Sequence, residues 1–248
     1  MVQDLKIEAL SAPPAYQVVS REIRKLILSG SLQPGEPFPS ELSLAEKLGV
    51  NRSTVREGIR QLEADGLVRR SGRRRLFVSI PDTSQIAPRA TDAMVLSRIT
   101  FLELWEVCRE VEPLSARLAA IHRTEDQLVP LRANLIEFRD AMETGRADYE
   151  IDLAFHALIA EASNNVALLL TRFPIGQLLF PASRHLKPVL EQARPREMAA
   201  HEKIFDAIER QDPDEAELWM ARHVADLKRG WDLVGLPYDF EINPFVST

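Results

Sequence analysis

Two short amphipathic stretches separated by a tight turn constrain this chain more than any other feature. Ser40 is suited to cap a helix with Leu42, Leu44, Ala45 and Leu48 as its apolar positions, and Gly49 ends it. Asn51 is placed to cap the next helix, Arg52 to Asp65, which buries Val55, Ile59 and Leu62 and stops at Gly66. Upstream, residues 15–29 repeat apolar side chains at helical spacing through Val18, Val19, Ile23, Leu26 and Ile27. Downstream come two β-like runs, 67–68 and 76–80, joined by the basic segment RRSGRRR. Helix, helix, tight turn, helix and basic ribbon is a helix-turn-helix order, which presents the N-terminus of its second helix to a DNA major groove. That N-terminus carries Asn51, Arg52, Ser53, Thr54 and Arg56. Arginine pairs bidentately with the O6/N7 edge of guanine, whereas hydroxyls and helix-start N–H groups hold phosphates.

The charge distribution agrees. The chain has 248 residues and a net charge of −6. Residues 1–80 hold 13 Lys+Arg against 9 Asp+Glu, and residues 81–248 hold 18 against 28. A basic module on an acidic body expects a polyanion only at the N-terminal part. From charge alone, a merely solvated face stays open. One cysteine, Cys108, excludes an intramolecular disulfide framework. The start MVQDLKIEAL lacks the apolar core of a signal peptide, and no long apolar run suggests a membrane span. A cytoplasmic location is expected.

The segment PSELSLAEKLGVNRSTVREGIRQLEADGLV resembles the winged helix-turn-helix domain of the GntR family of bacterial transcription regulators. The resemblance implies that Arg52 and Arg56 contact DNA, with Ser40, Asn51, Ser53 and Thr54 beside them. It places Gly72, Arg73, Arg74 and Arg75 at the wing. Two departures stand out: Leu42 replaces the family's usual arginine, and the wing lacks the second glycine of a G-x-G.

Composition marks 81–92, PDTSQIAPRATD, as a linker after a DNA-binding domain at 1–80. A helical domain is expected over 93–233, with a tail at 234–248; that it binds an effector and dimerises is what the family resemblance implies. The fold class expected is therefore mainly α: a winged helix-turn-helix followed by an antiparallel bundle of about six helices. The first bundle helix spans 93–122, with Leu102, Trp105, Val107, Val111, Leu114 and Leu118 as core candidates. Thr124 and Gln127 form a capping box for the second, which Gly145 ends. A third covers about 148–162. A fourth, 166–190, is interrupted by Pro174, Pro181 and Pro188. Helices at about 195–210 and from Asp212-Pro213 to about 230 complete the set. The tail's Leu236, Tyr238, Phe240, Ile242 and Phe245 expect a packed surface, on the body or on a partner subunit.

Asp152 and His156 share one helix face at i, i+4, and His201 and His223 lie on later helices. Spacing alone leaves a metal site and ordinary packed histidines both open. The order ELWEVCREVEP with SARLAA, then DLAFHALIAEASNN, HEKIFDAI and ARHV, resembles the FCD effector domain of the FadR subfamily of GntR regulators. That resemblance covers about residues 95–230. It implies that Asp152, His156, His201 and His223 ligate a divalent transition metal, zinc first and nickel as the alternative. It further implies a small organic acid effector, a homodimer and a near-palindromic double-stranded DNA operator, with repression as the expected sign. His122 and His185 match no ligand position. The family's usual arginine on the first bundle helix is Cys108 here, with Arg109 beside it, so these two mark the effector pocket's altered edge. Two alternatives remain: a metal-free regulator with an apolar acyl-type ligand, and a mononuclear metallohydrolase. Against an enzyme, the sequence has no nucleophile motif and no phosphate-cradling glycine loop.

Overall fold

The computed structural model describes residues 13–71, 75–146, 148–186 and 189–243. Gly72, Arg73, Arg74, Pro188 and Phe245 lie outside the described residues, as does the segment before residue 13. The chain divides into two compact units, Met1–Gln85 and Ile86–Thr248.

In the first unit, α1 (Ala15–Leu28) packs on α3 (Arg52–Ala64), with α2 (Glu41–Leu48) across its start. Ser40 caps α2 by accepting the Ser43 N–H at 3.2 Å, and Gly49 closes it in the left-handed conformation. Asn51 holds the N-cap position of α3, but its side chain makes no capping hydrogen bond. Strands β1 (Val68–Ser71) and β2 (Arg75–Val78) pair antiparallel, Val68 opposite Val78. The extended segment before α2 joins them: the Phe38 N–H donates to the Leu76 carbonyl and the Gly35 N–H to the Val78 carbonyl. One core seals this unit, built on Val19, Ile23, Val55, Ile59, Leu62 and Val78. Val18 and Leu26, on the edge of the α1 stripe, are exposed, as is Leu42. Gly58 is the point of closest approach between α1 and α3, since a Cβ there would lie 2.9 Å from Val19 Cγ1.

The second unit is a helical bundle. Residues 81–92, read from composition as the linker, are mostly helical: α4 (Thr83–Leu96) takes most of them. The long helix expected from 93 is two, α4 and α5 (Phe101–His122). The break lies at residues 97–100, where Arg98 has φ 60° and Thr100 opens α5 with a capping box to Glu103. Pro113 lies inside α5 without dividing it. Then come α6 (Glu125–Thr144), α7 (Tyr149–Ala162), α8 (Val166–Leu179), a 3-10 segment (Phe180–His185), α9 (Ala193–Glu209) and α10 (Pro213–Val234). The capping box of Thr124 and Gln127, the Gly145 stop and the Asp212 cap form as expected. Pro174 sits inside α8, and Pro181 starts the 3-10 turn. No membrane span was expected, yet Val166–His185 is long and apolar enough for one; more than half of that stretch is buried in the bundle.

Helix α5 is central, packing on α7, α8, α9 and α10. It buries Phe101, Leu104, Cys108, Ala116, Ala119 and Ala120. Val107 and Leu114, expected in the core, are 44% and 43% exposed. With Ile121 they repeat every seventh residue, along a second face that this unit does not cover. The tail packs on its own body as far as described: the Phe101 N–H donates to the Phe240 carbonyl, and the Ile242 N–H to the Ile99 carbonyl. Trp231 stacks on Phe101 beneath it.

Candidate functional site

The exposed N-terminal half of α3 carries the residues expected at DNA. Arg52, Ser53 and Arg56 face solvent, while Val55 and Ile59 on the opposite side anchor the helix. Arg75 is exposed at the described start of β2. A residue that sequence reasoning missed organises this surface. Glu41, in the first turn of α2, accepts hydrogen bonds from Arg56 Nε at 3.1 Å and Arg56 Nη2 at 2.8 Å. Arg52 Nη2 lies 3.7 Å from the same carboxylate. The Arg56 hydrogen bond holds the Glu41 carboxyl below its usual range, against a smaller opposing effect of burial. Arg56 is thereby held by three hydrogen bonds to one carboxylate, while Arg52 stays within ion-pair range of it.

In the bundle, α7 places Asp152 and His156 one turn apart, and α9 and α10 bring His201 and His223 to the same point. The Nε2 atom of His223 lies 3.1 Å from that of His156 and 3.3 Å from that of His201. Asp152 Oδ1 lies 3.3 Å from His201 Nε2 and 3.6 Å from His156 Nε2. All four donor atoms fall within 4.8 Å of one another. Around a tetrahedral ion with bonds of about 2.0–2.1 Å, neighbouring donors lie roughly 3.3 Å apart. Three imidazole nitrogens and a carboxylate oxygen turned on one point concentrate lone pairs there, and the set fits a divalent transition metal.

Aromatic rings fix the imidazoles of the cluster. His156 stacks on Phe180 with centroids 3.9 Å apart, and His201 stacks on Phe155 at 3.9 Å. Behind His156 stand two residues that sequence reasoning did not find. Glu112 of α5 accepts from His156 Nδ1 at 2.9 Å and from Arg172 Nε, on α8, at 2.8 Å. Both side chains are 2% exposed. A proton held on Nδ1 by this carboxylate leaves the Nε2 lone pair facing the cluster. Burial raises the Glu112 pKa, but Arg172 and His156 together outweigh it and hold the carboxyl below its ordinary value. Gly176, one turn after Arg172, leaves the space its guanidinium fills. The only available sequence signals were a glutamate within an apolar helix face and an arginine within the most apolar stretch of the chain.

Cys108 is buried in the core one turn before Glu112, and burial, with Glu112, pushes its thiol well up. It is not part of the four-donor cluster. Arg109 points outward, where it hydrogen-bonds Glu110 and lies over the Trp105 ring. Neither residue lines the cavity that adjoins the cluster. That cavity, about 520 Å³, reaches Asp152 and His223 at its inner end and is walled by α9, α10 and the 3-10 segment.

A winged helix with exposed arginines on α3 and a bundle with a ligand-sized cavity fit a transcription regulator that responds to a small molecule. Residues 15–78 match the bacterial regulatory proteins of the gntR family, and residues 103–226 match the FCD domain. The chain belongs to the GntR family, in its form with a C-terminal FCD domain. It is 30% identical to the Uxu operon transcriptional regulator of Escherichia coli K12, over 89% of this chain and 88% of that one. It is 28% identical to the Glc operon transcriptional activator of the same strain, over 87% and 88%. Among solved structures, a GntR protein of Streptococcus agalactiae superposes with a TM-score of 0.63 at 25% identity, covering 86% of this chain and 99% of that one. These relatives and domains make the chain a ligand-responsive bacterial transcription regulator and not an enzyme.

Proposed function

We propose that this regulator, of the FadR subfamily, is a metal-containing cytoplasmic homodimer that reads a near-palindromic operator. The DNA-binding domain is 1–80, joined through 81–92 to an effector and dimerisation domain at 93–233. Arg52, with Asn51, Ser53, Thr54 and Arg56, faces the major groove, Ser40 holds the backbone, and the wing residues Gly72 to Arg75 follow it. Asp152, His156, His201 and His223 hold the metal. The observation carrying this reading is the convergence of four donor atoms from three helices at the inner end of a cavity. When bound, a divalent metal would supply a Lewis-acid anchor for a carboxylate effector. Asp152 and His223 line the cavity and hold that anchor where an effector meets it. The effector then shifts the balance between DNA-competent and DNA-incompetent dimer geometries through its differential affinity. Repression by the effector-free form is part of the proposal.

Elemental mass spectrometry of protein purified without chelator tests the site. Near one zinc or nickel per chain is expected, and His156→Ala is expected to lose it. An empty wild-type protein after reconstitution with either metal would remove the metal from this reading.

The uncovered face of α5 supports the dimer. Val107, Leu114 and Ile121 form an apolar seam at heptad spacing, the pattern of helices that pair. Leu114→Glu, at a half-exposed position, is expected to give a folded monomer by light scattering and to lose operator affinity at least tenfold. A dimeric Leu114→Glu protein would place the interface elsewhere.

A further inference from the structure

The cavity beside the four donors has two unlike ends. Its inner end is polar: Asp152 and His223 reach it, and so does Ser183, which is 6% exposed and whose Oγ has no hydrogen-bond partner among the described residues. Much of its wall is hydrocarbon, contributed by Leu186 and Leu190 and by Val224 and Leu227 of α10. Val189 and Leu233 carry the same character to the opening, where they are 63% and 66% exposed. Charged and polar side chains also line it: Arg196, Arg229, Glu191 and Gln192 are exposed, Arg196 is paired with Asp226, and Glu197 is half-buried.

The volume, about 520 Å³, is in the range that encloses a drug-sized ligand. It is many times the ~30 Å³ share of one water molecule. A three- or four-carbon hydroxy acid would use the polar end and leave water trapped against leucine. A sugar acid would bury some of its hydroxyl groups against Leu186, Leu190, Val224 and Leu227, which offer no partner, and that is unfavourable. A ligand with one acid head and a hydrocarbon body satisfies both ends: the head takes the polar end and the unpartnered Ser183 hydroxyl, and the body covers the leucines.

We infer that the effector is an amphipathic monocarboxylate, an acid head on an unfunctionalised chain of medium length, and that Leu186, Leu190, Leu227 and Leu233 set its length. The inference rests on the metal-anchored effector site proposed above and adds the chemical class of the ligand.

Isothermal titration of the full-length, zinc-loaded protein with acetate, butanoate, hexanoate, octanoate and decanoate, below their micellar concentrations, tests it. Affinity is expected to rise about fourfold per added methylene through the middle of the series, as each is taken out of water. Leu233→Asp, at an exposed position, is expected to flatten the rise while leaving thermal stability unchanged. Octanoate is also expected to release the protein from its operator at lower concentration than acetate does. Equal affinity for acetate and octanoate, octan-1-ol binding as tightly as octanoate, or no binding of any member would each overturn the inference. Octanoate binding that is unchanged in zinc-free protein would overturn the metal anchor instead, leaving the hydrocarbon wall in place.

Discussion

Glu112→Leu is expected to destabilise the helical bundle by about 3–5 kcal/mol, because it leaves the Arg172 guanidinium buried without its counter-charge. The loss follows from burial: Glu112 and Arg172 are both 2% exposed, and their ion pair at 2.8 Å lies between α5 and α8. Chemical denaturation followed at Trp231, which is fully buried in this unit, reads it out. The double variant Glu112→Leu/Arg172→Met is expected to recover most of the loss, since replacing both charges removes the desolvation penalty along with the attraction. Metal affinity separates structure from function. Glu112 orients His156 through Nδ1, so both variants are expected to bind zinc about 10–100-fold more weakly, even where stability returns. A double variant that is stable and binds zinc like the wild type would refute the positioning role. The pH dependence has a definite sign. The folded Glu112 carboxyl titrates below the ordinary glutamate range. Its contribution is full above the unfolded value and is lost as pH falls through the folded one. The wild-type bundle should therefore weaken on acidification below about pH 4.5, and the double variant should weaken less.

The second large effect is at the DNA. Arg52→Ala is expected to reduce specific operator affinity to near the non-specific level while leaving metal content and stability unchanged. A bidentate arginine–guanine contact contributes about 1–3 kcal/mol of discrimination, and the proposed dimer would make two of them. The expected loss is thus roughly 30-fold to 10⁴-fold, measured by anisotropy at fixed salt. Arg56→Ala is expected to lose less, because Glu41 already engages its Nε and Nη2. Binding by the wild type should fall steeply with added salt, in proportion to the phosphates neutralised. Operator affinity in Arg52→Ala within threefold of wild type, or wild-type binding that ignores salt, would contradict the assignment of α3 as the reading helix.

Local chemistry made much of this molecule legible in one dimension. Ser40, Thr124 and Asp212 act as helix caps, and Gly49 and Gly145 end helices in the left-handed conformation. Those choices depend on hydrogen bonds and φ angles within a few residues, so they are written in the sequence itself. The paired positions Asp152 and His156 were legible for the same reason, since they share a face of one helix. The fold class followed from periodicity, and the wing's basic character from a run of arginines.

Relations across helices could only be read from the folded chain. The convergence of His201 and His223 on Asp152 and His156 depends on three helices packing in register, a property that no spacing along the chain encodes. Glu112 and Arg172 are 60 positions apart and become partners only because α5 and α8 pack together. Glu41 reaches Arg56 only because α2 crosses α3. The stripe on α5 marks the same limit from the other side. Cys108 and Leu114 both satisfy helical periodicity, yet one is buried and the other half-exposed. Periodicity reports that a face is apolar, but only packing decides what covers it, because burial depends on neighbours distant in sequence.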